Sequence, residues 1–131
     1  MMDNGLLILS NTFVPLVRIK ICSQLEITFI VSVLDPECEN GISMLTCPAP
    51  LTISVLDAFY GRDDMTTCPG RFGVGSPQLA DDTCTSDATA LYAAMCGGDP
   101  TCMVAVTNGN LGGDPCGGTY KFARVTYTCV P

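Results

Sequence analysis

The sequence predicts a mainly β fold: one antiparallel module pinned by disulfides and carrying a short helix. Three observations lead there. Eight of the nine cysteines fall between Cys38 and Cys129, while Cys22 stands alone upstream. Thirteen glycines and nine prolines among 131 residues cut the chain into short segments joined by loops. Those segments are apolar and rich in β-branched residues, and only one carries a helix signature.

The first segment differs from the rest. Residues 4–17 are largely apolar, Arg18 and Lys20 follow, and a second apolar run covers Ile27 to Leu34. Neither run reaches the roughly 18 to 20 residues of a membrane-spanning helix, and Pro15 interrupts the first. Residues 1–36 therefore read as an apolar leader or, in part, as the first strand. A secretory leader suits a disulfide-bonded domain, yet its first region should be basic, and here it carries Asp3 without Lys or Arg. In the leader reading Cys22 is removed with it or remains as an odd thiol.

Residues 37–131 form the domain. Gly41 to Thr46 and Leu51 to Leu56 read as short strands separated by Pro48 and Pro50. Met103 to Thr107 and Tyr120 to Cys129 are the other strand candidates. In the last, Tyr120, Phe122, Val125 and Tyr127 do not share one parity, so a bulge or a strand buried on both faces is expected. The helix covers residues 88–96, with Ser86 as its cap, Asp87 in its first turn and Gly97–Gly98 as its stop. Arg62 to Thr83 and Asn108 to Gly118 are loops. No repeat is present, so this is one module.

Composition excludes several functions. A formal charge of −7 disfavours a nucleic-acid partner held by its phosphates. The absence of histidine rules out Ser-His-Asp triads and Cys/His zinc sites within the chain. The cysteines lack C-x₂-C knuckles, so disulfides in an oxidising compartment are the reading and no metal or cofactor is expected. Eight cysteines allow about 105 connectivities, and spacing alone does not choose among them. The adjacent pairs Asp63–Asp64 and Asp81–Asp82 point apart in an extended chain, so no glycosidase-like acid/base pair is indicated. They also lack the D-x-D-x-D-G spacing of a calcium loop. GNLGGDPCGG (109–118) is no phosphate loop, since no G-K-[ST] follows.

Three strings remain: AFYGR (58–62), DPC (114–116) and GTYKFA (118–123). Their order against the eight cysteines resembles the rhamnose-binding lectin domain, also called the sea-urchin-egg-lectin or galactose-binding lectin domain. That family carries A-N-Y-G-R, D-P-C and G-T-Y-K-Y-L strings. The resemblance implies a small antiparallel, β-sandwich-like domain with one or two short helices and long structured loops. It also implies four bridges: Cys38–Cys68, Cys47–Cys129, Cys84–Cys116 and Cys96–Cys102. The site it implies is shallow and non-catalytic, built from Glu39, Tyr60, Asn108, Asp114, Gly118 and Lys121.

The chemistry of those residues suits a pyranose. A carboxylate such as Glu39 accepts from two adjacent hydroxyls. Lys121 offers donors, Gly118 admits a backbone N–H, and the Tyr60 ring offers an apolar face. Arg62 is expected to be structural, paired with Asp63, Asp114 or a loop carbonyl. Phe59, Phe122 and Ala123 depart from the family strings, and 108–113 lacks its aromatic residue. The expected partner is an L-rhamnose or galactose-type glycoconjugate, met outside the cell, with weak single sites gathered by self-association or by a larger multidomain protein. The competing expectation is a protein–protein adhesion module of the same fold that has lost sugar binding.

Overall fold

The computed structural model describes residues 6–9, 12–21 and 25–131, with side chains from Ile30 onward. Cys22 lies outside the described residues. The main sheet contains β1 (Leu6–Leu9), β2 (Thr12–Ile21), β3 (Leu25–Leu34), β4 (Glu37–Cys38), β6 (Thr52–Arg62), β7 (Cys84–Asp87) and β9 (Phe122–Val130). Their order is β1-β2-β3-β9-β6-β7, all pairs antiparallel, with β4 also against β9. A second sheet pairs β5 (Ile42–Thr46) with β8 (Thr101–Ala105).

β9 organises the domain. One edge is covered by β3, which sets Val31–Val33 against Thr126–Thr128, and then by β4, which sets Glu37–Cys38 against Phe122–Ala123. The other edge pairs with β6 along its whole length. Along β9, Ala123, Val125 and Tyr127 enter the main core, whereas buried Phe122 packs tilted against Phe59, with ring centroids 5.6 Å apart. The mixed parity read from the sequence is therefore a strand buried on both faces near its start. The bulge is in its partner: Leu56 has no counterpart between the pairs Val55–Tyr127 and Asp57–Thr126. That extra residue reverses parity, so Ile53 before it and Ala58 and Tyr60 after it all reach one core.

The core lies between β6 and β9 on one side and β5, β8 and the helix α1 (Thr89–Cys96) on the other. Leu45, Val104, Tyr92 and Cys96 fill it from the second side. Two tyrosines bury their rings and still satisfy their hydroxyls. Tyr127 Oη donates to Thr46 O and accepts from Thr46 N, both at 3.0 Å, which ties β9 to β5. Tyr92 Oη meets Ser43 Oγ at 2.9 Å, which ties α1 to β5.

Local details depart from the sequence expectation. Ser86 is not the helix cap: it lies in β7, and Ala88 occupies the cap position. Asp87 Oδ1 instead accepts the Thr89 N–H at 2.9 Å, because β7 runs on to Asp87 before the chain turns. β6 runs to Arg62, six residues beyond the expected end, since pairing with both β9 and β7 continues through AFYGR. β9 starts at Phe122, not Tyr120. The loop after β6 contains two short 3-10 turns, Gly70–Phe72 and Pro77–Leu79, and Leu79 is fully buried beneath it.

Four disulfides join Cys38 to Cys68, Cys47 to Cys129, Cys84 to Cys116 and Cys96 to Cys102. These are the pairs that the resemblance implies. Each ties an element of the sheets or the helix to a loop or a neighbouring strand, replacing core area that a module of this size lacks. No helix among the described residues is long and apolar enough to cross a membrane.

Candidate functional site

The site grows from the end of β6 and the segments flanking β4 and β9. Gly61 follows Tyr60 where the chain is squeezed against β7. A Cβ there would stand 2.0 Å from Cys84 O, and its φ of 147° is outside the range of ordinary side chains. Arg62 comes next and is fully buried. Its Nε donates to Tyr120 O at 2.7 Å, Nη1 to Asp64 O at 3.0 Å and Nη2 to Cys68 O at 3.2 Å. Burial lowers its pKa, and the neighbouring carboxylates of Asp64 and Asp63 oppose that shift. Arg62 is thus a structural tie of three loop carbonyls, with Asp64 as its ion partner at 3.7 Å. Asp63 pairs instead with Arg124, at 2.9 and 3.0 Å, and Asp114 pairs with Lys121.

β4 leads into Glu39, whose backbone N–H donates to Lys121 O at 2.8 Å. The Glu39 carboxylate returns the contact, with Oε1 accepting from Lys121 N at 3.0 Å and lying 3.3 Å from Lys121 Nζ. The same ammonium lies 3.1 Å from Asp114 Oδ1 and donates to Thr119 O at 2.8 Å. Lys121, 2% exposed, thus holds two carboxylates by ion pairs and one carbonyl by a hydrogen bond.

Tyr60 is buried beside it. Its ring is fully buried, so it offers no exposed apolar face. Its hydroxyl donates to Asn108 Oδ1 at 2.6 Å. Burial raises the pKa of that hydroxyl first, and the charges of Glu39 and Asp114 raise it further, so Tyr60 stays a neutral donor. Asn108 is held at its backbone too, where its carbonyl accepts the Gly113 N–H at 2.7 Å. Leu111, buried in the core, anchors the loop.

Five of the six expected residues therefore fall in two contact groups: Glu39, Lys121 and Asp114 joined by ion pairs, and Asn108 and Tyr60 by a hydrogen bond, with Tyr60 close enough to feel the charges of Glu39 and Asp114. Asp114 is held below the usual carboxylate range, first by the Cys116 N–H on its Oδ1 at 3.0 Å and then by Lys121. Among the described residues, Glu39 Oε2, Asp114 Oδ2 and Asn108 Nδ2 take part in no hydrogen bond. The cluster thus presents two charged acceptors and one amide donor. Gly118, exposed at a φ of 82°, lies on the rim next to buried Thr119, with open space around its α-carbon.

Gly118 and Glu39 also line a cavity of about 610 Å³ together with Asn40, Arg71, Phe72, Gln78, Thr119 and Tyr120. Arg71, Phe72 and Gln78 escaped the sequence reading because they lie in a loop without a motif. One signal was present: a Cys38–Cys68 bridge places residues just after Cys68 beside those just after Cys38. No cluster of metal-binding side chains occurs among the described residues.

The family model described as the D-galactoside/L-rhamnose binding SUEL lectin domain matches residues 45–129. A rhamnose-binding lectin of Silurus asotus is 41% identical over 108 residues, which are 81% of this chain and 33% of that protein. A D-galactoside-specific lectin of Heliocidaris crassispina is 36% identical over 93 residues, 70% of this chain and 85% of that protein. The adhesion G protein-coupled receptor L1 of Mus musculus is 35% identical over 96 residues, 72% of this chain and 6% of that protein. The chain thus spans about a third of the Silurus relative and most of the Heliocidaris one.

Proposed function

Because this chain belongs to the family of D-galactoside/L-rhamnose binding SUEL lectin domains, we propose that it is a non-catalytic module binding L-rhamnose or galactose-type sugars outside the cell. The observation that carries the reading is the clamped cluster: Lys121 holds Glu39 and Asp114, and Tyr60 holds Asn108. Adjacent pyranose hydroxyls both donate and accept. The free oxygens of Glu39 and Asp114 accept from them, and Asn108 Nδ2 donates to a third. Preorganisation by Lys121 and Tyr60 lowers the ordering cost of these contacts. The Gly118 backbone completes the rim.

So few contacts give a weak single site. Useful binding then comes from several sites held together, by self-association or within a larger protein. The test is a glycan array with the wild type, Glu39→Ala and Lys121→Ala. Binding to rhamnose- or galactose-terminated glycans that both substitutions abolish supports the reading. Absence of sugar binding by the folded wild type sinks it and favours a protein-adhesion module, the role suggested by the likeness to the adhesion receptor.

A further inference from the structure

The cavity beside the clamped cluster has its own chemistry. Its walls come from three segments: Glu39–Asn40, the loop residues Arg71, Phe72 and Gln78, and Gly118–Tyr120. They are bound to one another. The Cys38–Cys68 disulfide joins the first segment to the start of the second. Tyr120 N donates to Gln78 O at 2.9 Å, and Tyr120 Oη donates to Glu39 O at 3.3 Å. Phe72 packs tilted on Tyr120, with centroids 5.2 Å apart, and Gly70 makes room for that contact, since a Cβ there would meet the Tyr120 ring at 3.0 Å. Over the Phe72 ring, at 5.2 Å, stands the guanidinium of Arg71.

Among the cations whose side chains are described, Arg71 is set apart. Arg62, Lys121 and Arg124 each hold a carboxylate. Arg71 is exposed and makes no ion pair or hydrogen bond among the described residues, although the chain carries a net charge of −7. It is the single cation lining the cavity, and Glu39, the carboxylate in that lining, is already paired with Lys121. Two aromatic rings suit the C–H face of a sugar ring, and a free guanidinium suits a planar or tetrahedral oxyanion.

We propose that this cavity is a second subsite, which takes an acidic sugar, a uronate or a sulfated hexose, joined to the neutral sugar held by Glu39, Asn108 and Asp114. Phe72 and Tyr120 stack on its ring and Arg71 pairs with its anionic group. The inference rests on the sugar-binding reading of the neighbouring cluster and extends it from a monosaccharide to an acidic disaccharide.

Calorimetry on the intact, disulfide-bonded chain tests it with four probes: methyl α-L-rhamnoside, a disaccharide of L-rhamnose and galacturonic acid, the same disaccharide with its carboxyl reduced to the alcohol, and its 6-sulfated counterpart. The expected result is about five- to tenfold tighter binding of at least one acidic disaccharide than of the reduced one, a gain that shrinks as salt rises. Which acidic probe gains identifies the anion. Arg71→Gln should erase the gain and leave the methyl rhamnoside affinity unchanged. Phe72→Ala should weaken both kinds of disaccharide alike.

Equal binding of acidic and reduced disaccharides by the wild type, with methyl rhamnoside bound, overturns the subsite and leaves the lectin reading standing. A gain that survives Arg71→Gln also overturns it. If none of these probes binds, the subsite is overturned, and the lectin reading fails with it when methyl α-galactoside does not bind either.

Discussion

Replacing Arg62 by lysine keeps the charge and removes the fork. The guanidinium reaches three carbonyls on separate segments, those of Tyr120, Asp64 and Cys68, and stacks 5.2 Å from the centroid of Phe122. An ammonium on a shorter reach keeps one of those carbonyls. The other two belong to half-buried residues that recover some solvent, so each costs about 1 kcal/mol, the low end for a lost partner. Loss of the ring contact adds about 0.5–1 kcal/mol. Arg62→Lys should therefore destabilise the domain by about 3 kcal/mol. Arg124→Lys serves as the comparison, because its pair with Asp63 is about one-third exposed on both sides, and such pairs contribute under about 1 kcal/mol. Urea unfolding without reductant, read by tyrosine fluorescence, measures both. If Arg62→Lys costs under about 1 kcal/mol with an unchanged m-value, or no more than Arg124→Lys, the tie of three loops by one buried guanidinium is refuted.

Three further outcomes follow from the geometry. Gly61→Ala places a Cβ on Cys84 O at a φ that alanine avoids, so it should cost at least about 3 kcal/mol, and a low yield of correctly bridged protein in a disulfide map would show it. Tyr60→Phe removes the donor to Asn108 Oδ1, costs about 1 kcal/mol of stability, and should weaken rhamnose binding in calorimetry with the fold intact. The third concerns acid. Asp64 is pulled down to about 2, first by the Thr67 hydroxyl and then, against some desolvation, by the Thr67 and Thr66 N–H groups and Arg62. A depressed folded-state pKa gives stability that is fully present above the unfolded value near 4 and lost as pH falls towards about 2. The side chain is 40% exposed, so screening reduces its contribution to about 1 kcal/mol. Urea midpoints at pH 6, 4 and 2.5 should fall less steeply in Asp64→Asn than in the wild type.

Much of the fold was legible in the chain. Cys38 to Cys129 marked the bridged region, and short β-branched runs marked β5, β6, β8 and β9, because both patterns arise from contacts within a few residues. The helix was legible from its apolar run and its glycine stop. Its cap was not, because Ser86 was claimed by pairing with Tyr60 in β6, and such pairing is invisible along the chain. The bulge shows the same limit. The mixed parity read in β9 came from burial on both faces, whereas the bulge itself, at Leu56 in the partner strand, depended on register.

For the site, the sequence by itself determined which residue types stand near the bridges: Glu39, Tyr60, Arg62, Asn108, Asp114, Gly118 and Lys121. These residue types predict a site of a carboxylate, an amine, a ring and backbone, with no histidine. Only the tertiary structure decided what each does. Tyr60 and Lys121 look like ligand-facing groups by type, and the fold buries both, with the Tyr60 hydroxyl on Asn108 and the Lys121 ammonium among Glu39, Asp114 and Thr119. Arg71 looks like a solvated loop cation, and it gains a cavity wall because the Cys38–Cys68 bridge draws its loop beside Glu39. Residue type fixes what a side chain offers, whereas its neighbours, brought together from distant parts of the chain, fix what remains on offer.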